Sequence, residues 1–216
     1  MPAGILLTTA YFPPPEYFVS ASAAEKALIE RHENYKKQTY RNRCRILTAN
    51  GPLSLVIPVK RFRGRKTSIN EIKPDYSYKW QRLHRISIDS AYRSAPFYEY
   101  YIDDIIPFFE LKFDYLIDLN SAILEKMLEV MNLRVSWEYT NSFMEQPPPG
   151  FIDVRESIHP KRNIPETARI AESMNYIQVF QEKWGFIPGL SILDLLFNTG
   201  PDAAVLLKNA AAELKS

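Results

Sequence analysis

The densest group of residues able to do chemistry runs His32-Glu33-Asn34-Tyr35-Lys36-Lys37-Gln38-Thr39-Tyr40-Arg41-Asn42-Arg43-Cys44-Arg45. Arginine's planar fork matches phosphate and carboxylate oxygens, and lysine adds a compact point charge. If Arg41 to Ile46 is a strand, Arg41, Arg43 and Arg45 project from one face, because side chains alternate with a period of two. Three adjacent guanidinium groups repel one another unless an anion lies beside them. The row therefore predicts a phosphate site in which Arg41, Arg43 and Lys37 hold the anion and Gln38 and Asn42 orient it, with Tyr11 and Tyr35 completing the ligand-binding set. The alternative is an exposed edge strand whose charges discourage pairing with other chains. His32, beside Glu33 and Asn34, is the acid/base candidate, and His84 is the second, although its helical spacing from Trp80 also fits a hydrogen-bonded histidine at the rim of the core. Cys44 reads as a small buried hydrophobe.

The charge distribution supports an anionic partner. Arg31 to Lys66 holds eleven Lys/Arg against Glu33 alone, a local net charge of +10 in a chain whose total is +2. Such asymmetry marks a basic surface on an otherwise acidic protein. A phosphorylated small molecule is the expected partner. The competing reading is a non-enzymatic module that binds nucleic acid or another anionic polymer through Lys60 to Lys66 and the arginine strand, with Tyr35, Tyr40 and Phe62 stacking on bases. The sequence pI of about 8.5 lies below the value of roughly 9 that marks a dedicated nucleic-acid domain. A third reading is a scaffold in a biosynthetic complex that docks through its proline-rich connection. There is no Gly-rich phosphate loop, no Gly-x-Ser-x-Gly and no metal-ligand spacing, so neither a cofactor nor a metal is expected. A single cysteine rules out an internal disulfide and points to a reducing compartment. With no apolar run near the roughly 18 residues of a membrane span and no basic stretch before the first apolar run, the chain is expected to be cytoplasmic, neither exported nor inserted.

The elements that must position these residues follow from periodicity and turn chemistry. Ile5-Leu6-Leu7 predicts a buried strand leading into the rigid Pro13-Pro14-Pro15, Glu16 to Ala24 a short helix, and Ala27-Leu28-Ile29 a strand parallel to the first. Two strand-like runs, Arg41 to Thr48 and Pro52 to Val59, flank Ala49-Asn50-Gly51, a strong hairpin signal. Arg61 to Lys66 reads as a basic loop and Ser68 to Lys73 as a further strand. Helices are expected from Ser77 to Val130, with one face carrying Trp80, His84 and Ile88, a break at Ala95-Pro96, a second helix over Phe97 to Phe109 and a third over Ile117 to Met131 that Asn120-Ser121 partly caps. Arg134 to Tyr139 is expected as the last strand. Gln146-Pro147-Pro148-Pro149-Gly150 opens an irregular connection, and Ser191 to Phe197 and Pro201 to Leu214 read as closing helices, Pro201 suiting a first turn. The fold class is thus α/β, a short mixed sheet with a β-loop-α-β start and a hairpin, followed by a helical C-terminal half. Residues 1–216 are read as a single domain: 1–76 mainly strands, 77–145 helical, 146–167 irregular, 168–216 helical.

One set of residues also carries a family likeness: Tyr11-Phe12-Pro13-Pro14 with Tyr17-Phe18, His32 to Tyr35, Lys37 to Arg43, Pro58-Val59, Trp80 with His84, Tyr92 with Pro96, and Leu190 to Asn198. Together these resemble the WbqC-like proteins, and the arginine-rich segment is the most specific part. The resemblance implies a cytoplasmic bacterial protein of surface-polysaccharide (O-antigen type) biosynthesis. Taken with the basic segment, the expectation is an enzyme that binds a nucleotide-activated or phosphorylated sugar and transfers a small group to it.

Overall fold

The computed structural model describes residues 2–60, 66–161 and 165–214. Gly4–Thr8 forms strand β1, buried along its whole length. A strand covered on both faces has no solvent side to alternate toward, which is why it reads as a continuous apolar run. Pro14 and Pro15 set the backbone for helix α1 (Pro15–Ala23), with Pro15 in a position where its missing N–H costs nothing. α1 is buried almost all round, between the sheet and the C-terminal helices. The chain returns as β2 (Ala27–Glu30), parallel to β1 with Ile5 opposite Ala27 and Thr8 opposite Glu30.

A 3-10 turn at Tyr40–Asn42 leads into the antiparallel hairpin of β3 (Arg43–Thr48) and β4 (Gly51–Val56). The expected turn is present, but only Gly51 adopts a left-handed conformation there (φ 102°). Glycine is needed at that position because it carries no Cβ to clash. The expected strand over Ser68 to Lys73 is instead one bridge, Ser68 with Asn34, followed by a 3-10 turn at Ile69–Glu71. Arg61 to Arg65, most of the expected basic loop, lie outside the described residues.

Helix α2 (Trp80–Tyr92) buries Trp80, His84, Ile88, Ala91 and Tyr92 along one stripe, as the spacing predicts. The helix expected over Phe97 to Phe109 is two, α3 (Tyr98–Ile105) and α4 (Pro107–Glu110), divided where Pro107 begins a new first turn. α5 (Leu116–Val130) matches its expected range. Asn120 and Ser121 lie inside it rather than capping it, Asn120 reaching the Arg41 carbonyl and Ser121 the Ile117 carbonyl.

The expected last strand is the three-residue β5 (Trp137–Tyr139), and a further strand follows, β6 (Phe151–Asp153), within the stretch read as irregular. At three residues, β6 is too short to show periodicity; its partner decides it. Gly4 makes the pairing possible, since a Cβ there would lie 2.0 Å from the Phe151 ring. Four C-terminal helices follow: α6 (Pro165–Ser173), α7 (Gln181–Trp184), α8 (Ile192–Thr199) and α9 (Asp202–Glu213). The Ser191 side chain caps α8 by accepting from the Leu193 N–H. The α/β class and the helical C-terminal half therefore stand, and the strands form two separate groups: a parallel sheet ordered β5-β2-β1-β6 and the hairpin.

Candidate functional site

The strand order marks a candidate site. From β1 the chain moves outward through β2 to β5, then crosses back to place β6 on the other flank of β1. In an open parallel sheet the connections on either side of such a reversal leave in opposite directions and open a crevice at the carboxyl ends of the strands. Three segments meet there: the loop after β1, the loop 31–42 after β2, and 154–161 after β6. Two of the three non-glycine residues with left-handed backbone among the described residues, Phe12 (φ 38°) and Gln38 (φ 62°), belong to these loops. Strain of this kind, about 1–3 kcal/mol per residue, persists only where surrounding contacts enforce it.

Buried charge pairs hold the loops in place. Glu33 accepts from Arg41 Nε at 2.8 Å and Nη2 at 2.5 Å and from Thr8 Oγ1 at 2.5 Å. Arg41 is only 1% exposed, so this bidentate pair joins the 3-10 turn to the end of β1 away from water. Glu30, wholly buried, accepts from the His32 N–H (2.8 Å), Thr140 Oγ1 (2.9 Å) and the Met144 N–H (2.8 Å), with Arg155 Nη1 3.7 Å away. Arg155 in turn grips Asp153, whose carboxyl it holds below the usual range together with the Arg155 backbone N–H. Lys36 bridges to Glu156 at 2.7 Å, and Lys161 donates to Gln38 Oε1 at 2.5 Å. Removing charges from water is costly unless each finds a partner. Glu33 with Thr8, Lys36 with Glu156, Glu30 with Arg155 and Gln38 with Lys161 join different segments, so satisfying these groups also fixes the loops.

The nine expected site residues divide between this edge and the interior. His32 lies at the edge as expected. Its Nε2 is 3.2 Å from the Thr140 carbonyl, an acceptor only, so the neutral ring carries its proton on Nε2 and leaves Nδ1 with a lone pair beside the Asn70 amide at 3.5 Å. Lys37 and Gln38 are exposed on the same loop, and Tyr35 is half-buried with its phenol pushed up to about 12, burial outweighing the pull of Arg43 and Arg41.

Three corrections concern the rest. Tyr11 and His84, expected at the site, are enclosed in an aromatic cluster with Trp80: the two side chains hydrogen-bond each other at 2.9 Å, and burial pushes the imidazole down to about 4. Asn42 is buried with its amide donating to the Ile57 carbonyl, which ties down the start of the hairpin. The row of three guanidinium groups does not form, because Arg41 is in the 3-10 turn and the strand starts at Arg43. Arg41 faces Glu33, Arg45 faces Glu16 and the Tyr40 hydroxyl, and Arg43 turns toward Tyr35. Among the described residues neither Arg43 nor Arg45 has a carboxylate within 4 Å, but Arg45 is near enough to Glu16 to pull on its carboxyl, whereas Arg43 has its Nε buried without a hydrogen bond.

Thr8, Glu30, Asp153 and Arg155 escape the sequence reading. Glu30 offered a faint signal, an acid closing an apolar strand. Asp153 and Arg155 depend on β6, whose existence rests on pairing with β1. Among the described residues, no cluster of three or more His, Cys, Asp or Glu side chains is arranged to hold a metal ion, and no helix is long and apolar enough to cross a membrane.

No curated protein and no solved structure matches the chain. The model of the WbqC-like protein family matches residues 9–149, which include the loop 31–42, the hairpin and α2 to α5 but stop short of β6 and Arg155. Because that match spans well over half of the sequence, the chain belongs to the WbqC-like protein family.

Proposed function

We propose that this protein is a cytoplasmic enzyme of surface-polysaccharide (O-antigen type) biosynthesis that binds a nucleotide-activated or phosphorylated sugar at the carboxyl edge of its sheet and transfers a small group to it. The observation that carries the reading is Arg43. A guanidinium with a buried, unpartnered Nε beside a half-buried tyrosine is costly unless a ligand completes it, and it lies next to a loop that exposes Lys37. Arg43 and Lys37 would hold the phosphate and Gln38 would orient it, its backbone already constrained. Arg41, saturated by Glu33, takes a positioning role and makes no contact with the ligand. His32 would act as the base, its Nδ1 lone pair set by the Nε2 contact to Thr140, taking a proton from the sugar hydroxyl or amine as that atom bonds to the transferred group, while the bond from that group to a second, activated donor substrate breaks and the donor's leaving group departs with the electron pair. The family membership agrees with a polysaccharide-related role.

Calorimetric and thermal-shift titration against a panel of nucleotide sugars tests this. At least one should raise the melting temperature, as any ligand selective for the native state must. Arg43→Ala should weaken its binding about tenfold or more with the fold intact. The reading fails if no phosphorylated ligand stabilises the protein, or if Arg43→Ala binds as well as the natural chain.

A further inference from the structure

A second cleft, of about 650 Å³, lies where α2 passes the segment Phe109–Lys112. It shares no residue with the edge of the sheet, and its volume is within the range of roughly 300–1,000 Å³ typical of small-ligand sites. Four cations line it, Lys79, Arg82, Arg85 and Lys112, against the single acid Glu110.

The cations work against the helix that carries them. Lys79 caps α2 and Arg82 sits in its first turn, where no acid is present. Positive charge at a helix N-terminus opposes the macrodipole. Lys79, Arg82 and Arg85 also repel at successive three-residue spacings along one face. Arg85 alone is relieved by a carboxylate, gripping both oxygens of Asp89 at 2.7 and 2.9 Å. Among the described residues neither Lys79 nor Arg82 has a carboxylate within 4 Å.

Aromatic rings decide what kind of anion fits. Tyr76 has its faces occupied, Trp80 on one side with centroids 5.8 Å apart and Lys112 Nζ at 5.6 Å from the ring centre. Tyr78 is 63% exposed, and among the described residues no ring or cation stacks on it. Single-stranded nucleic acid gains its affinity from successive stacking platforms, and this cleft offers one free face. One open tyrosine ringed by cations suits a polymer whose rings stack singly and whose charges recur along the chain.

We infer that this cleft binds an acidic oligosaccharide, Tyr78 covering a sugar ring while Lys79, Arg82 and Lys112 pair with its carboxylates or phosphates. The inference goes beyond the sugar-nucleotide reading and names a second, separate ligand. Titrating the full chain with a galacturonate oligomer by calorimetry should show binding that weakens with added salt, since the contacts are ionic. Arg82→Glu should weaken that binding about tenfold or more, and Tyr78→Ala should also reduce it. A neutral malto-oligosaccharide and an oligo-dT strand serve as comparisons, and both should bind more weakly. Both substitutions are at the surface, and Arg82→Glu places an acid in the first turn of α2, so a melting temperature that does not fall will separate lost binding from lost fold. The inference is overturned if the galacturonate oligomer does not bind, if oligo-dT binds as tightly, or if Arg82→Glu has no effect. Arg43→Ala should leave galacturonate binding unchanged, so failure here and failure of the sugar-nucleotide site read out separately.

Discussion

Two regions of this protein bury carboxylates, and they treat them in opposite ways. At the sheet edge, Glu33 is met by a bidentate arginine and a threonine hydroxyl, and Glu30 by three neutral donors with Arg155 nearby. Beneath the C-terminal helices, Glu16 and Asp194 are equally buried but have no cation in direct contact. Asp194 accepts from the Tyr176 hydroxyl at 2.6 Å, and Glu16 Oε2 has no hydrogen bond among the described residues. Burial accordingly pushes Glu16 up to about 7 and Asp194 up to about 6, Arg45 only moderating the first. A buried carboxyl group without a cation in contact is driven toward its neutral form by desolvation, whereas one gripped by an arginine gains an ionic partner that ties segments together.

The contrast can be broken most sharply at Arg41. Arg41→Ala strands Glu33 in the interior, and the expected loss is about 3–5 kcal/mol of stability, read by denaturant unfolding. Next comes pH. Because the folded-state values of Glu16 and Asp194 lie above their unfolded ones, their contribution to stability is complete below about pH 4 and is lost as pH rises through 6 to 7. Glu16→Gln should remove much of that slope and leave the protein more stable by about 2–3 kcal/mol at pH 8, measured by melting across pH 4 to 8. Thr8→Val removes one donor to Glu33 while keeping the shape, for an expected cost of about 1–2 kcal/mol in the same unfolding assay. Smallest in stability is Arg43→Ala, within about 0.5 kcal/mol of the natural chain, since no partner is lost. Under the proposed function its consequence falls on ligand binding, and a large destabilisation would show that Arg43 has a structural role instead.

Much of the framework is legible from local signals. The apolar run of β1, the prolines before α1, Ala49-Asn50-Gly51 at the hairpin and the Trp80, His84, Ile88 stripe each obey a rule spanning only a few residues. The position of His32 just past a strand end follows from the same reading. The site itself is less legible. A period of two suggests a row of arginines, but a 3-10 turn at Tyr40–Asn42 starts the strand two residues late and sends Arg41 and Arg43 to different neighbours. Nothing local marks Phe151–Asp153 as a strand.

By itself, the sequence determined where β1, α1, β2, the hairpin, α2 and α5 form and that basic residues cluster after β2, because backbone preference and burial pattern act over one or two turns. Only the tertiary structure decided which arginine is paired with a carboxylate and which is not, and that the segments after β1, β2 and β6 meet at one end of the sheet. Those outcomes depend on contacts such as Thr140 with Glu30, between residues 110 positions apart, and ionic pairing takes whatever partner the packing brings within reach.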